Sequence, residues 1–370
     1  MGGLLSFAYP LKKPRMSMSR PISAHIDLSA LAHNLYIARS ATSARILAVI
    51  KANAYGHGLL QAAGALRDAD GFALLDVRDA VALREAGFRQ PLLLLEGFFS
   101  RDELPLLAEY ELSSVIHSQR QLDWLDAYPR RHGLPVWLKL NSGMNRLGFA
   151  PAEFSSVLEK LKAHRAVRDI TLMTHFAQAD EAMGIDAQHE VFKQLASSQR
   201  LPCSLANSAA ILRQPQTHGD WVRPGIMLYG SSPFTDVSAQ QLGLQPVMTL
   251  SSEIISIQHL RAGEAVGYGA LFRAEHSMRI GTVACGYADG YPRHAPSGTP
   301  VMIEAQRTRT LGRVSMDMLA VDLNGLPDVK VGSRVVLWGE GLPVDEVARA
   351  AGTISYELLC ALAPRVPVTS

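Results

Sequence analysis

The sequence is poor in cysteine, in aromatic residues and in charge of either sign. Cys203, Cys285 and Cys360 are its only cysteines, with no Cys-x-x-Cys pair. That excludes a disulfide framework and fits a reducing compartment, the cytoplasm. Lys and Arg number 36 against 34 Asp and Glu. A formal net charge of +2 provides no basic face for nucleic acid, and the densest basic spot, Arg130-Arg131-His132, reads as a solvated turn. No run approaches the ~18 apolar residues that cross a bilayer. No Gly-x-Gly-x-x-Gly follows an apolar run, which argues against a dinucleotide-binding open sheet. In the opening residues, MGGLLSFAYPLKKPRMSMSR, the apolar part is broken by Pro10 and the basic residues come after it. This is not the order of a signal peptide. Residues 1–19 are expected to be an extension outside the fold.

What is present is apolar and strongly periodic. At 370 residues and 48% apolar, the chain is long enough for two domains, one of them a large barrel. Asp27 to Ala41 has the spacing of an amphipathic helix. An apolar run at residues 46–50 follows, and then short apolar runs at 72–75, 91–95, 112–116, 136–140, 170–173, 204–206 and 226–229. Segments of helical period separate them, such as Val77 to Glu85, Gln119 to Ala127, Glu153 to Ala163 and Gln188 to Gln199. Eight strands alternating with helices predict a (β/α)8 TIM-type barrel over residues 20–247. From 248 the pattern turns to β-branched alternation with Gly-Pro turns, closed by helices at 344–351 and 356–362. The predicted class is therefore α/β plus all-β, a barrel followed by a mainly β domain over 248–370.

Chemistry in such barrels sits at the C-terminal ends of the strands. The run ILAVI ends in Lys51, followed by ANAYGHG. A lysine held in low dielectric loses basicity, and its neutral amine can condense with an aldehyde. The plainer reading is a lysine that snorkels out of a strand end. Other polar residues fall at comparable points: Lys139 and Arg146 in LKLNSGMNRLGF, His175 in THFAQAD, Asn207 and Ser208 in NSAA, and Arg223 and Gly225 in RPGIMLYG. Each alone is weak. Asp180 and His189 give His175 no metal spacing, and no metal is expected.

Taken in order, AVIKANAYGHG, LKLNSGMNRLGF, THFAQAD, NSAA, RPGIMLYG, VGYG, ACGYADGYPR and LGRVSMDM resemble the motif series of the alanine racemases from about residue 20 to 365. The resemblance implies pyridoxal 5′-phosphate as cofactor and L- and D-alanine as substrates. It implies a homodimer with shared sites and a part in D-alanine supply for peptidoglycan or in alanine catabolism. Lys51 matches the lysine that holds the cofactor and acts as base on one face of the substrate. Tyr268, in VGYG, matches a second base on the other face, contributed in the family by the partner subunit; His175 matches the residue that hydrogen-bonds it. Arg223 matches the arginine facing the pyridine nitrogen, a donor that keeps its proton and so leaves that nitrogen unprotonated. Arg146 matches the arginine that contacts the cofactor's phenolic oxygen and the substrate carboxylate, with Lys139 a lysine carbamylated in many members. Asn141 stands where many members have Asp. Tyr55, Ser208, Gly225, Ile226 and Tyr356 match the phosphate ligands, with Asn207 beside them. Met316 and Asp317 match the segment lining the substrate carboxylate across the dimer, and Ser315 stands where some relatives have Cys. Tyr287 matches a residue of the entry channel. By the same resemblance, Tyr268, Tyr356 and Met316 together are expected to leave space for little more than a methyl side chain.

Three other readings differ in their sequence signatures. A broad-specificity racemase of the same fold is often exported, and no clear signal is present. A barrel-type decarboxylase places an acidic residue near the ring nitrogen, where this chain has Arg223. A non-catalytic carrier built on the barrel alone would lack residues 248–365, and with them Tyr268.

Overall fold

The computed structural model describes residues 20–128, 133–181 and 183–370. The expected extension over 1–19 and the basic spot at Arg130-Arg131-His132 lie outside the described residues. Eight parallel strands close into a barrel. A short strand precedes them, β1 (Ser23–Ile26); the barrel itself is β2 (Arg45–Val49), β3 (Gly71–Leu74), β4 (Leu92–Leu94), β5 (Leu112–Ile116), β6 (Leu134–Lys139), β7 (Val167–Met173), β8 (Cys203–Asn207) and β9 (Trp221–Arg223). The strands are short, apolar and almost wholly buried because helices cover their outer faces. The helix Leu28–Ser40 begins where Asp27 caps it, its Oδ1 accepting the backbone N–H of Ser29 and Ala30.

One strand lies elsewhere than the apolar runs predict. Ile226–Tyr229 is a turn of 3₁₀ helix, and the eighth barrel strand is Trp221–Arg223, which pairs with both β2 and β8. An apolar run buried on all sides does not distinguish strand from helical turn by periodicity. The chain leaves the barrel at Pro224 and Gly225, whose backbone (φ −121°, ψ −95°) is not that of a strand.

After the barrel come β10 (Met248–Leu260), the hairpin β11 (Ala265–Val266) and β12 (Phe272–Arg273), β13 (Met278–Val283), β14 (Pro300–Ile303), β15 (Gln306–Leu311), β16 (Leu319–Asp322), β17 (Arg334–Trp338) and β18 (Val368–Thr369). Helices span Val344–Ala351 and Ser355–Cys360. The eight-stranded sheet runs β13-β16-β15-β14-β17-β10-β1-β18, and a further β10–β13 pairing curls it back on itself. The 13-residue β10 makes this possible by pairing with β1, β17 and β13 in succession along its length. β1, ahead of the barrel in sequence, thus belongs to the sheet that follows the barrel. One continuous core of buried side chains runs through barrel and sheet, including Leu47, Phe72, Leu250 and Trp338.

Candidate active site

A cavity of about 1100 Å³ opens at the C-terminal ends of the barrel strands. Lys51 enters it just past β2, Lys139 from the last position of β6, and Arg146 from the loop that follows. His175 lies two residues beyond β7, Asn207 and Ser208 at the end of β8, and Arg223 at the end of β9. Tyr55, Gly225, Ile226 and Tyr356 complete the set of sequence-predicted residues on its wall.

Lys51 is followed by an unusual backbone. Ala52, Asn53, Ala54 and Tyr55 all carry φ of 52–54°, a left-handed turn made without glycine. Each such residue costs ~1–2 kcal/mol, and strain of this kind gathers at functional sites. Local bonds offset it. Ala54 N–H donates to the Ile50 carbonyl at 2.9 Å and Gly56 N–H to that of Ala52 at 3.0 Å. Asn53 Oδ1 accepts from Leu59 N–H at 2.8 Å. His57, with no solvent exposure, donates Nδ1–H to the carbonyls of Ala54 and Tyr55, each at 2.9 Å. Gly56 then allows a close approach: a Cβ there would lie 2.3 Å from the Leu359 carbonyl oxygen. The Ser355–Cys360 helix can therefore dock on the turn, placing the Tyr356 ring 6.1 Å from that of Tyr55.

Arg223 is buried without a carboxylate. Its Nη1 donates to Ser204 Oγ at 2.6 Å, and its Nη2 to the carbonyls of Thr174 at 2.7 Å and Leu205 at 3.1 Å. Burial lowers its pKa to about 10, so it stays cationic at neutral pH. Lys139 is 7% exposed; burial, then the Arg223 and Arg146 charges, lower its pKa to about 8. Burial and Arg146 also lower that of Lys51. The loop bearing Arg146 is shaped by Asn141, whose Oδ1 accepts from Gly143 and Asn145 N–H and whose Nδ2 donates to Asn145 Oδ1. An Asn at this position therefore organises the loop by hydrogen bonds alone.

The donor set fits a pyridoxal phosphate. Tyr55, Tyr356 and Ser208, with hydroxyls, and Gly225 and Ile226, with backbone groups, line the same cavity and can offer a cradle of neutral donors. A Cβ at residue 225 would sit 2.8 Å from the Tyr55 hydroxyl and fill it. Ser208 Oγ already accepts the Gly225 N–H at 2.9 Å.

Among the described residues, Tyr268, Tyr287, Met316 and Asp317 do not line the cavity. Tyr268 is 69% exposed on the turn that joins β11 to β12, and Met316 is 53% exposed. Tyr287 and Met316 are held together, with Tyr287 N–H donating to the Ser315 carbonyl and Ala288 N–H to that of Met316. The sequence reading missed Glu96, which enters the cavity two residues past β4. The signal was there: Glu96 ends an apolar run as Lys51 does. Ser204 and Thr174, the anchors of Arg223, carried no signal, since nothing local marks a buried hydroxyl or carbonyl as an arginine's partner.

Fold and site define a barrel enzyme that sets a buried amine among cations beside a neutral anion cradle. Two family models match it, "Alanine racemase, N-terminal domain" over residues 26–233 and "Alanine racemase, C-terminal domain" over 247–370. An alanine racemase of Nitrosospira multiformis is 63% identical, with 94% of this chain and 99% of that protein covered. A protein of Klebsiella aerogenes described as "Alanine racemase, catabolic" is 53% identical over 95% of this chain and 100% of its own length. The crystal structure of the biosynthetic alanine racemase from Pseudomonas aeruginosa superposes with a TM-score of 0.92 at 49% identity, covering 94% of this chain and 99% of that one. The chain belongs to the alanine racemase family, a family of amino-acid racemases.

Proposed function

We propose that the protein interconverts L- and D-alanine with pyridoxal 5′-phosphate held on Lys51, as a homodimer whose two sites each draw on both chains. The observation that carries this reading is the division of the candidate residues. Lys51 and Arg223 share one cavity, whereas Tyr268 is exposed on the β unit of the same chain. Racemisation needs a proton removed from one face of the α-carbon and another delivered to the opposite face. Lys51 holds and moves the proton on one face, and Tyr268 of the partner subunit serves the other. Bound pyridoxal phosphate supplies an aldehyde for the amine and a ring that delocalises charge at the α-carbon.

The remaining residues bind and orient. Tyr55, Ser208, Gly225, Ile226 and Tyr356 hold the phosphate by neutral donors, with Asn207 capping the helix that begins at Ser208. Arg223 faces the ring nitrogen as a donor that keeps its proton. Arg146 holds the substrate carboxylate, and Met316 and Asp317 approach it from the second chain. Tyr287 lines the approach to the site. Lys139, with a pKa of about 8, has enough neutral amine near neutral pH to take up CO2, and its carbamate orients Arg146. Among the described residues no helix is long and apolar enough to cross a membrane, and the cysteines are free; we place the enzyme in the cytoplasm.

Racemisation measured over a panel of amino acids tests the reading. Turnover confined to alanine supports it. Comparable rates on bulky side chains favour the broad-specificity alternative, and protein that never takes up pyridoxal phosphate overturns the assignment.

A further inference from the structure

Asp289 has no solvent exposure and does not line the cavity. Its Oδ1 accepts from Arg20 Nη1 and from Arg365 Nε, both at 2.8 Å. Its Oδ2 accepts from Gly286 N–H at 2.9 Å and from Arg20 Nη2 at 3.3 Å. The same arginines reach a second acid: Arg365 Nη2 donates to Asp317 Oδ1 at 2.7 Å, and Arg20 Nη2 to the Asp317 carbonyl at 2.9 Å. Two carboxylates and two guanidinium groups, drawn from opposite ends of the sequence, thus form one neutral network around a buried centre.

The network ties residue 20 and the 363–365 segment to two further segments. One is the turn Tyr287–Asp289; the other is the loop carrying Met316 and Asp317. Gly286 lets them lie against each other, because a Cβ there would meet the Ser315 and Met316 carbonyl oxygens at 2.4 Å. Ion pairs on a surface contribute little, but a buried carboxylate with its partners removed is costly. A backbone held this firmly presents Tyr287 and Met316 outward, 37% and 53% exposed. Apolar side chains fixed in place on a surface fit a pre-organised contact better than a solvated one.

We propose that Asp289, with Arg20 and Arg365, is a positioning residue that works in trans, setting Tyr287, Met316 and Asp317 for the cavity of a second copy of this chain. The inference rests on the shared-site reading above and deepens it. Asp289 touches no reacting atom; it acts through the loop it holds, so its loss raises KM for alanine more than it lowers kcat.

The test is complementation between two impaired chains. Asp289→Asn alone is expected to lose ~10- to 100-fold in kcat/KM through misplacement of the loop, and Lys51→Ala alone to be inactive. Co-expressed, the two chains form hybrid dimers in which one site has Lys51 from one chain and an intact network from the other. With random pairing about a quarter of wild-type activity returns. No gain over the separate homodimers overturns the proposal. Tyr268→Phe paired with Lys51→Ala serves as the control. If the control gains activity and the Asp289→Asn pair does not, Asp289 acts within its own chain and only the proposal falls. If the control also fails, the shared-site reading falls and takes the proposal with it. Arg365→Lys, which keeps the charge but loses the two-pronged contact, is run in parallel and decides the matter if Asp289→Asn is not recovered as a folded dimer.

Discussion

Arg223 Nη2 lies 3.4 Å from Nδ1 of His175. A guanidinium has only donors, so Nδ1 is the acceptor and the imidazole proton resides on Nε2. Burial, then the charges of Arg223, Lys139, Arg146 and Lys51, push the pKa of His175 well below its ordinary value. His175 is therefore a neutral imidazole at neutral pH, with Nε2–H free to donate. Nitrogen NMR on labelled histidine is expected to show the Nε2–H tautomer with no titration near pH 6.5; an imidazolium signal at neutral pH would contradict it.

His57 makes acid the weak side of this fold. Burial lowers its pKa from 6.5 to about 4. Between those values the unfolded chain binds more protons than the folded one, so stability falls as pH drops from 6.5 towards 4. The loss from this one group is about 3 kcal/mol. His57→Asn retains a donor for the Ala54 and Tyr55 carbonyls without the titration. Its unfolding free energy should be flatter over that range, and a pH dependence unchanged from wild type would remove His57 as the cause.

The proposed pair of bases on opposite faces would make the enantiomers unequal in a variant that lacks one of them. In Tyr268→Phe, loss of the α-proton from one alanine enantiomer should slow by ~10²–10⁴-fold relative to the other. Deuterium exchange at the α-carbon, followed separately for L- and D-alanine, reads this directly. Equal, near-normal exchange of both would refute the role of Tyr268.

Lys139 should take up carbon dioxide. Its ammonium loses a proton at about pH 8, so uptake should increase as pH rises through that value. Protein equilibrated with ¹³C-bicarbonate should give a carbamate carbon resonance that is missing in Lys139→Ala. A spectrum identical in the two would exclude the modification.

Gly225→Ala tests the phosphate cradle. Its added methyl must push the Tyr55 hydroxyl aside, since the Cβ would lie 2.8 Å from it. Affinity for pyridoxal phosphate should fall at least ~10-fold, equivalent to about 1.4 kcal/mol. The melting temperature of the cofactor-free protein should change little. Unaltered affinity would place the phosphate elsewhere.

Local signals in the chain account for much of this architecture. The helix Val77–Glu85 spans the segment that its helical period marks, and the strand Met248–Leu260 begins where the pattern turns to β alternation. Lys51 could be placed at a strand end because an apolar run that stops at a cation is a local pattern, whereas Lys139 falls inside the run at 136–140 and Arg223 precedes the run at 226–229. By contrast, the run at 226–229 is buried on every face, which erases the period that separates strand from helix. The left-handed turn after Lys51 was also hidden, since Ala and Asn favour no such backbone strongly enough to announce it.

Sequence alone determined the alternating elements, the change to β structure after the barrel, and the residue types that can hold an anion beside an amine. Only the tertiary structure decided their company. It seated Arg223 on Ser204 and Thr174, moved the strand Ser23–Ile26 into the sheet beyond the barrel, and joined Arg20 to Asp289 across 269 positions. Such pairings depend on burial and on contacts between residues remote in the chain, and neither leaves a periodic trace. The amine of Lys51 is legible in five preceding apolar residues; the lowering of its pKa by burial and by Arg146 exists only once the barrel closes.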